Sequence, residues 1–173
     1  MRIEAFVAVA ILATASTRER VAGWDGEAGA ANKACELVTA GELEALLGAK
    51  VTVDGGGGMP TAGGAEICSA RSAPASVMLR LFKRTVDPSG AKENAGIEMA
   101  KKMGAQVDVK TFGPITCSSI VPPDTLAGYG FNTTCSVTKA PMFAVIEVNA
   151  KAKKDMVAIE RLHAIAEKMA GRF

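Results

Sequence analysis

The segment Cys68–Leu81, CSARSAPASVMLRL, is the most informative part of the sequence, because a related segment, Cys135–Val148, CSVTKAPMFAVIEV, follows it 67 residues later. Cysteine, serine, alanine and proline recur at the same four positions of the two segments. After the Ala-Pro pair, each segment alternates apolar and polar residues, which is typical of a strand with one buried face. Each segment is therefore predicted to be a hairpin, in which a cysteine-bearing strand turns at Ala-Pro and returns as a second strand.

The similarity between the two segments continues into a helix after each hairpin. MAKKMG (Met99–Gly104) and IAEKMAG (Ile165–Gly171) each close a predicted helix, shifted by one residue relative to the strand alignment. The shared order predicts an internal duplication into two related halves, against the alternative that strand and helix periodicity alone creates the likeness. Arg80 and Glu147 hold equivalent, outward positions, and we expect them to pair across neighbouring strands.

A short helix is predicted before the first hairpin. Thr39-Ala40-Gly41-Glu42 has the form of a capping box, and the residues after it place an apolar face on Leu43, Leu46 and Leu47. Gly48 follows where a glycine can end the helix.

A second helix is predicted between the two hairpins. Asp87-Pro88 has the form of a cap and first-turn pair, and Gly104 is expected to end this helix after Met103. Apolar residues four positions apart predict a buried stripe on Ala91, Ala95, Met99 and Met103.

The remaining elements complete the order α-β-β-β-α-β-β-β-β-α. Strands are predicted over Lys50–Asp54, Gln106–Phe112 and Ile115–Val121, a loop over Pro122–Gly130, and a last helix over Asp155–Met169. That helix is expected to bury Leu162, Ile165, Ala166 and Met169. Strands with one apolar face form antiparallel sheets, so the predicted fold class is α+β, with an antiparallel sheet and helices packed on one face.

The N-terminus predicts export. Ala5–Ala15 is apolar apart from Thr14, follows Arg2, and ends in a small-x-small sequence, so residues 1–15 are predicted to be a signal peptide. Residues 16–34 are predicted to be a flexible segment, and residues 35–173 a single α+β domain with two related halves. The alternative of a membrane anchor needs about 20 apolar residues. The mature chain is therefore predicted to lack a transmembrane segment and to be periplasmic or secreted.

The four cysteines predict disulfide bonds. Cys35, Cys68, Cys117 and Cys135 contain no Cys-x-x-Cys pair, and the chain has one histidine, so a zinc site has little support. Of the three connectivities, we favour Cys35–Cys68 with Cys117–Cys135, because each bond then links one hairpin to the segment before it. Only 5% of the residues are aromatic and many apolar residues are alanine, so these bonds are expected to contribute much of the stability.

The sequence CELVTAGELEALLGAKV (Cys35–Val51) resembles the opening of small exported domains of unknown function in bacterial lipoproteins and secreted proteins. In those domains a cysteine precedes a short capped helix that ends in Leu-Leu-Gly, and it pairs with a cysteine on a later strand. The resemblance implies Cys68 as the partner and a non-enzymatic domain in the cell envelope. This chain differs from those lipoproteins in lacking the lipid-attachment cysteine.

No catalytic or cofactor-binding motif stands out in the sequence. His163 is the only histidine, and the absence of Gly-x-Ser-x-Gly leaves Ser-His-Asp chemistry without a signature. Glu42 and Glu44 are two residues apart on one helix and so do not face each other, and Asp108 stands alone on its strand. The glycine loop that begins at Gly55–Gly58 lacks the Gly-Lys-Ser/Thr ending of a phosphate-binding loop. We therefore assign no catalytic, cofactor-binding or metal-ligating residue.

The charge balance does not favour a polyanionic partner. The chain has 20 basic and 18 acidic residues, a net charge of +2. Lys151–Lys154 is the densest basic run, but aromatic residues for base stacking are not interleaved with it. These lysines are interpreted as a solvated face, and no nucleic acid is expected as a partner.

The sequence thus predicts an exported, non-enzymatic binding or interaction domain of the bacterial cell envelope, without a cofactor. Its partner is expected to be a protein or an envelope component. The alternative is a small secreted hydrolase or ligand-modifying enzyme that uses carboxylates.

Overall fold

The computed structural model describes residues 32–54, 65–83 and 91–173. Within these ranges the helices are α1 (Lys33–Glu36), α2 (Ala40–Leu47), α3 (Ala91–Lys102) and α4 (Ile159–Ala170). The strands are β1 (Thr52–Asp54), β2 (Glu66–Arg71), β3 (Ala75–Lys83), β4 (Gln106–Phe112), β5 (Ile115–Val121), β6 (Phe131–Lys139) and β7 (Met142–Ala150). Short 3-10 helices cover Asp124–Tyr129 and Lys153–Asp155.

The strands form one sheet in the order β1-β2-β3-β7-β6-β5-β4, and every neighbouring pair of the described strands is antiparallel. The α+β class with an antiparallel sheet is therefore confirmed, and from α2 onward the helices and strands follow the predicted order. Both Cys-to-Ala-Pro segments form hairpins with equal register. Cys68 lies opposite Leu79 in the first, and Cys135 lies opposite Ile146 in the second.

The core lies between one face of this sheet and three helices. Helix α4 packs on β5 and β6, α1 packs on β2 and β3, and α2 contacts α4. The predicted apolar face of α4 is confirmed, because it buries Leu162, Ile165, Ala166 and Met169. The largest fully buried side chains in the described ranges include Leu37, Leu43, Leu79, Ile146 and Leu162.

The predicted cap of α2 is confirmed in detail. The Thr39 hydroxyl accepts a hydrogen bond from the Glu42 backbone N–H, and the Glu42 carboxylate accepts one from the Thr39 N–H. Gly48 ends the helix with a φ of 66°, a left-handed conformation that glycine adopts without the steric cost of a Cβ.

Both disulfides are present in the pairing that we favoured from the sequence. Cys35 on α1 bonds to Cys68 on β2, and Cys117 on β5 bonds to Cys135 directly opposite it on β6. Each bond therefore joins a hairpin to an element that precedes it in the chain. Three of the four residues, Cys68, Cys117 and Cys135, are fully buried in the core.

The predicted buried stripe of α3 is wrong. Met99 is 60% exposed, Met103 is 53% exposed and Ala95 is also exposed, whereas Ala100 is buried. The side chain of Ala91 lies outside the described residues. A helical stripe of methionines becomes buried only where another element packs against it. Among the described elements, the main packing neighbour of α3 is β4.

Several boundaries differ from the predictions. Asn32 caps α1 and Ala34 is fully buried, so the folded domain includes residues just before Cys35. Part of the loop predicted over Pro122–Gly130 is a 3-10 helix, and α4 begins at Ile159 after a shorter 3-10 turn. The predicted signal peptide over residues 1–15, the glycine loop within residues 55–64 and the Asp87-Pro88 cap lie outside the described residues.

Candidate binding surface

The sheet face opposite the helices carries the most connected group of polar side chains. Because side chains alternate along a strand, the residues between the core-facing positions point to this second face, which we call the outer face. On β3, β7 and β6 the outer face includes Met78, Arg80, Glu147, Asn149, Asn132 and Thr134.

A row of hydrogen bonds crosses the three central strands of the outer face. Arg80 on β3 donates through Nη2 to Oε2 of Glu147 on β7, as the sequence predicted for this pair. Asn132 on β6 donates through Nδ2 to Oε1 of Glu147 at 2.9 Å. Thr134 then donates its hydroxyl to Asn132 Oδ1 at 2.7 Å. We call these four residues the polar row.

The polar row is held in place by sheet register. Glu147 lies opposite both Met78 on β3 and Thr134 on β6, so its carboxylate is central to the face. Arg80 lies two residues along β3 from Met78, opposite Val145, which makes its bond to Glu147 diagonal. The side chains of Arg80 and Glu147 are about one-third exposed, so the pair is only partly screened by solvent. Arg80 Nε is buried without a hydrogen-bond partner among the described residues.

A shallow depression adjoins the polar row. It has a volume of about 330 Å³ and is lined by Ser69, Ala70, Arg71, Ser76, Val77, Met78, Glu147 and Asn149. The small side chains of Ser69 and Ser76 beside Met78 leave room above the sheet. At one wall, Glu147 supplies a carboxylate that can accept a hydrogen bond, and Asn149 supplies an amide. Arg71 at the opposite wall pairs with Asp54 through Nε at 3.2 Å. The depression is therefore lined by one methionine and by groups of both charges.

Aromatic side chains flank the other side of the polar row. Phe82 and Phe143 lie opposite each other on β3 and β7, with ring centroids 5.8 Å apart. Both are half-buried, and Val145 next to them is buried. The outer face thus combines an apolar end, a charged centre and a polar depression.

The residues that the sequence offered as candidates for catalysis make contacts that stabilise the fold. His163 lies at the rim of the core and stacks on Phe112 with centroids 4.0 Å apart, and its Nε2 is 3.7 Å from Glu167. Glu44 accepts a hydrogen bond from the Val51 N–H at 3.2 Å, and Asp108 is 3.8 Å from the Lys110 ammonium. The structure does not bring these groups together into one site.

Glu42 on α2 forms an ion pair with Arg172 near the C-terminus. Arg172 donates to both of its carboxylate oxygens, at 2.7 and 2.8 Å, and Nη1 of Arg172 also donates to the Leu37 carbonyl. The hydrogen bond from Arg172 is the main reason that the pKa of Glu42 is lowered from 4.5 to about 2, with burial acting in the opposite direction. This carboxylate is an ionic link between α2 and the chain end.

A second, more open groove of about 470 Å³ lies between α2 and α4, next to this link. Its charged groups already have partners within the chain. Arg161 donates to the carbonyls of Ala45 and Leu46 at 3.1 and 2.6 Å, and Lys168 is 3.6 Å from Glu42. The groove is therefore part of the contact between α2 and α4, which the hydrogen bonds of the Arg161 guanidinium stabilise.

The described ranges contain no group of three or more His, Cys, Asp or Glu side chains arranged to hold a metal ion. Within the same ranges, no helix has the length and apolarity needed to span a bilayer.

Sequence reasoning missed Asn132, Thr134 and Asn149 as members of the outer face. The available signal was the alternation along β6, where Asn132, Thr134 and Ser136 occupy every second position. What the sequence did not supply was the register that brings these residues beside Glu147.

The chain matches no family model and no curated protein. Among solved structures it is similar to the extracellular domain of PknH from Mycobacterium tuberculosis, with 12% sequence identity and a TM-score of 0.47. The similarity covers 83% of this chain and 95% of that domain. A likeness at this level assigns neither a family nor a function, and the resemblance of Cys35–Val51 to small exported bacterial domains stays a prediction.

Proposed function

We propose that this chain is an exported, non-enzymatic domain of the bacterial cell envelope that binds a protein or an envelope component on the outer face of its sheet. The observation that carries the proposal is the polar row beside the depression. Hydrogen bonds hold Arg80, Glu147 and Asn132 in fixed positions on a rigid sheet, so little side-chain entropy remains to be lost when a partner binds.

Export is supported by the state of the cysteines. All four are paired in disulfides, and such bonds persist in oxidising compartments outside the cytoplasm. Together with the predicted signal peptide, this favours a periplasmic or secreted location.

A binding role is also supported by how the acids are used. Glu42 bonds to Arg172, Glu147 bonds to Arg80, and Glu160 bonds to Lys110 at 2.6 Å. The cations that bond to Glu42 and Glu160 lower the pKa of both carboxyls, which makes these two groups poor general acids. No observation favours the hydrolase alternative over binding.

Site-specific photo-cross-linking in the native envelope tests the proposal. A photoreactive residue in place of Met78, which lines the depression, should give an adduct of defined mass. The matched control replaces Met99, which is 60% exposed on α3, a helix that contacts β4 at the far end of the sheet order from Met78 on β3. The yield of this adduct should also fall when Asn149→Ala is introduced into the same protein. Equal labelling from both positions, or no adduct from Met78, would overturn the proposed binding surface.

A further inference from the structure

We propose that β4 is a self-association edge, through which two copies of this chain join their sheets by antiparallel pairing. Strand β4 (Gln106–Phe112) is the last strand of the sheet order, and β5 is its neighbour among the described strands. Alternate residues of an edge strand direct their backbone N–H and C=O groups away from the paired neighbour. Its seven residues slightly exceed the commonest strand length of about 5 to 6, so this edge is long enough to pair with another strand.

The edge is accessible. Five of the seven residues of β4 are exposed, and Val107 and Phe112 are half-buried. Val109 at its centre is 44% exposed, although valine at the middle of a sheet usually packs against a neighbour. An exposed valine on a long free edge is a typical feature of a strand that pairs with another chain.

The charge pattern of β4 selects a second copy as the partner. Asp108 and Lys110 flank Val109 and lie on the same face of the sheet, opposite Ser119 and Cys117 of β5. If two β4 strands pair antiparallel about Val109, Asp108 of each copy lies opposite Lys110 of the other. The pairing therefore creates two cross-strand ion pairs and sets the two Val109 side chains against each other.

Other registers are disfavoured by the same charges. A shift of the pairing by two residues places Asp108 opposite Asp108, or Lys110 opposite Lys110, and parallel in-register pairing places like charges together at both positions. Charged residues on an edge strand usually prevent pairing, but opposite charges two residues apart leave this one arrangement open. Lys110 is also fixed by Glu160 at 2.6 Å, which holds its ammonium at this edge.

The inference is independent of the proposed binding role. The two-fold axis of such a pair is perpendicular to the sheet, so the outer faces of both copies would lie on the same side of one continuous sheet.

Sedimentation velocity of the full chain from micromolar to millimolar concentration tests the inference. We expect a monomer–dimer equilibrium. Asp108→Lys and Lys110→Asp should each raise the dimer dissociation constant about tenfold or more, because each change sets like charges opposite each other twice. An equimolar mixture of the two variants should form a heterodimer, since opposite charges then face each other again. The double variant, which exchanges the two charges, should also dimerise.

Val109→Lys and Val53→Lys form a matched pair of edge variants. Val53 is 39% exposed on β1, at the other edge of the sheet, and its replacement should leave dimerisation unchanged, whereas Val109→Lys should abolish it. Amide exchange in β4 should slow as the protein concentration rises. A monomer at every concentration, a dimer that the charge variants leave intact, or failure of the mixed variants to associate would overturn the inference. If Lys110→Asp does not fold, Asp108→Lys and Val109→Lys decide the question.

Discussion

Leu79 lies directly opposite Ile146 where β3 pairs with β7, and both side chains are buried at the centre of the core. These residues hold equivalent positions in the two similar segments, as do Cys68 and Cys135, which lie opposite them in their hairpins. A local two-fold axis at this pair therefore superposes one hairpin register on the other. Such a relationship is what a duplicated hairpin would produce, and the duplication itself stays a prediction.

The two disulfides should contribute a large part of the stability. Replacing Cys35 and Cys68 together by alanine, or Cys117 and Cys135 together, should lower the free energy of unfolding by about 3 to 4 kcal/mol in each case. The first bond closes 33 residues and the second 18, so the first pair should cost slightly more. Urea denaturation measures both. Tyr129→Ala should change stability by no more than about 0.5 kcal/mol, and a similar small effect from either cysteine pair would refute the expectation.

The Arg80–Glu147 pair should couple more strongly than an ion pair in open solvent. A double-mutant cycle with Arg80→Met and Glu147→Gln should give a coupling of about 1 kcal/mol, because the pair is partly buried and Asn132 completes the hydrogen bonding of the carboxylate. The control cycle uses Glu98 and Lys101, an exposed pair on α3, whose coupling should not exceed about 0.5 kcal/mol. Equal coupling energies in the two cycles would show that the partly buried Arg80–Glu147 pair is no stronger than an exposed ion pair.

The Glu42–Arg172 link should make stability depend on acid pH. The pKa of Glu42 is lowered to about 2, so its contribution is complete above its ordinary value of 4.5 and is lost as the pH falls from there through 2. The loss should be about 1 to 2 kcal/mol, since Arg172 is one-third exposed and solvent screens the pair. Chemical denaturation at a series of pH values should show a shallower decline for Glu42→Gln than for wild type. Identical slopes for wild type and Glu42→Gln would contradict the assignment.

Met99 on α3 and Met103 just after this helix should react as surface residues. Met99 and Met103 are exposed, whereas Met169 on α4 is fully buried, so mild peroxide should convert the first two to sulfoxides well before the third. Peptide mapping by mass spectrometry follows each residue over time. Oxidation of Met99 and Met103 as slow as that of Met169 would show that their side chains are packed, as the sequence alone predicted.

The sequence predicted those parts of the fold that depend on local chemistry. The Thr39 cap and the Gly48 stop follow from hydrogen-bonding and backbone preferences within a few residues, and the hairpins follow from alternation around Ala-Pro. The exposed Met99 shows the limit, because the side of a helix that becomes buried depends on which surface faces it. The polar row shows the same limit, since Asn132 reaches Glu147 only through the register of β6 with β7.

Helix α1 was missed for a related reason. Its four residues, Lys33–Glu36, are too few to show a helical period, and the helix is fixed by contacts made far along the chain. Asn32 donates to the Ile67 carbonyl at 2.7 Å, and Glu66 accepts from the Lys33 N–H at 2.7 Å. These bonds join α1 to the start of β2 beside the Cys35–Cys68 disulfide.

The proposed export and the disulfide-linked sheet behind the proposed binding surface both predict that the four cysteines are oxidised in the native protein. Peptide mapping of protein isolated from its own cells, alkylated without reduction, measures this directly. We predict cross-linked peptides that join Cys35 to Cys68 and Cys117 to Cys135, recovered from the extracytoplasmic fraction. Four alkylated thiols, or recovery from the cytoplasm alone, would contradict the account.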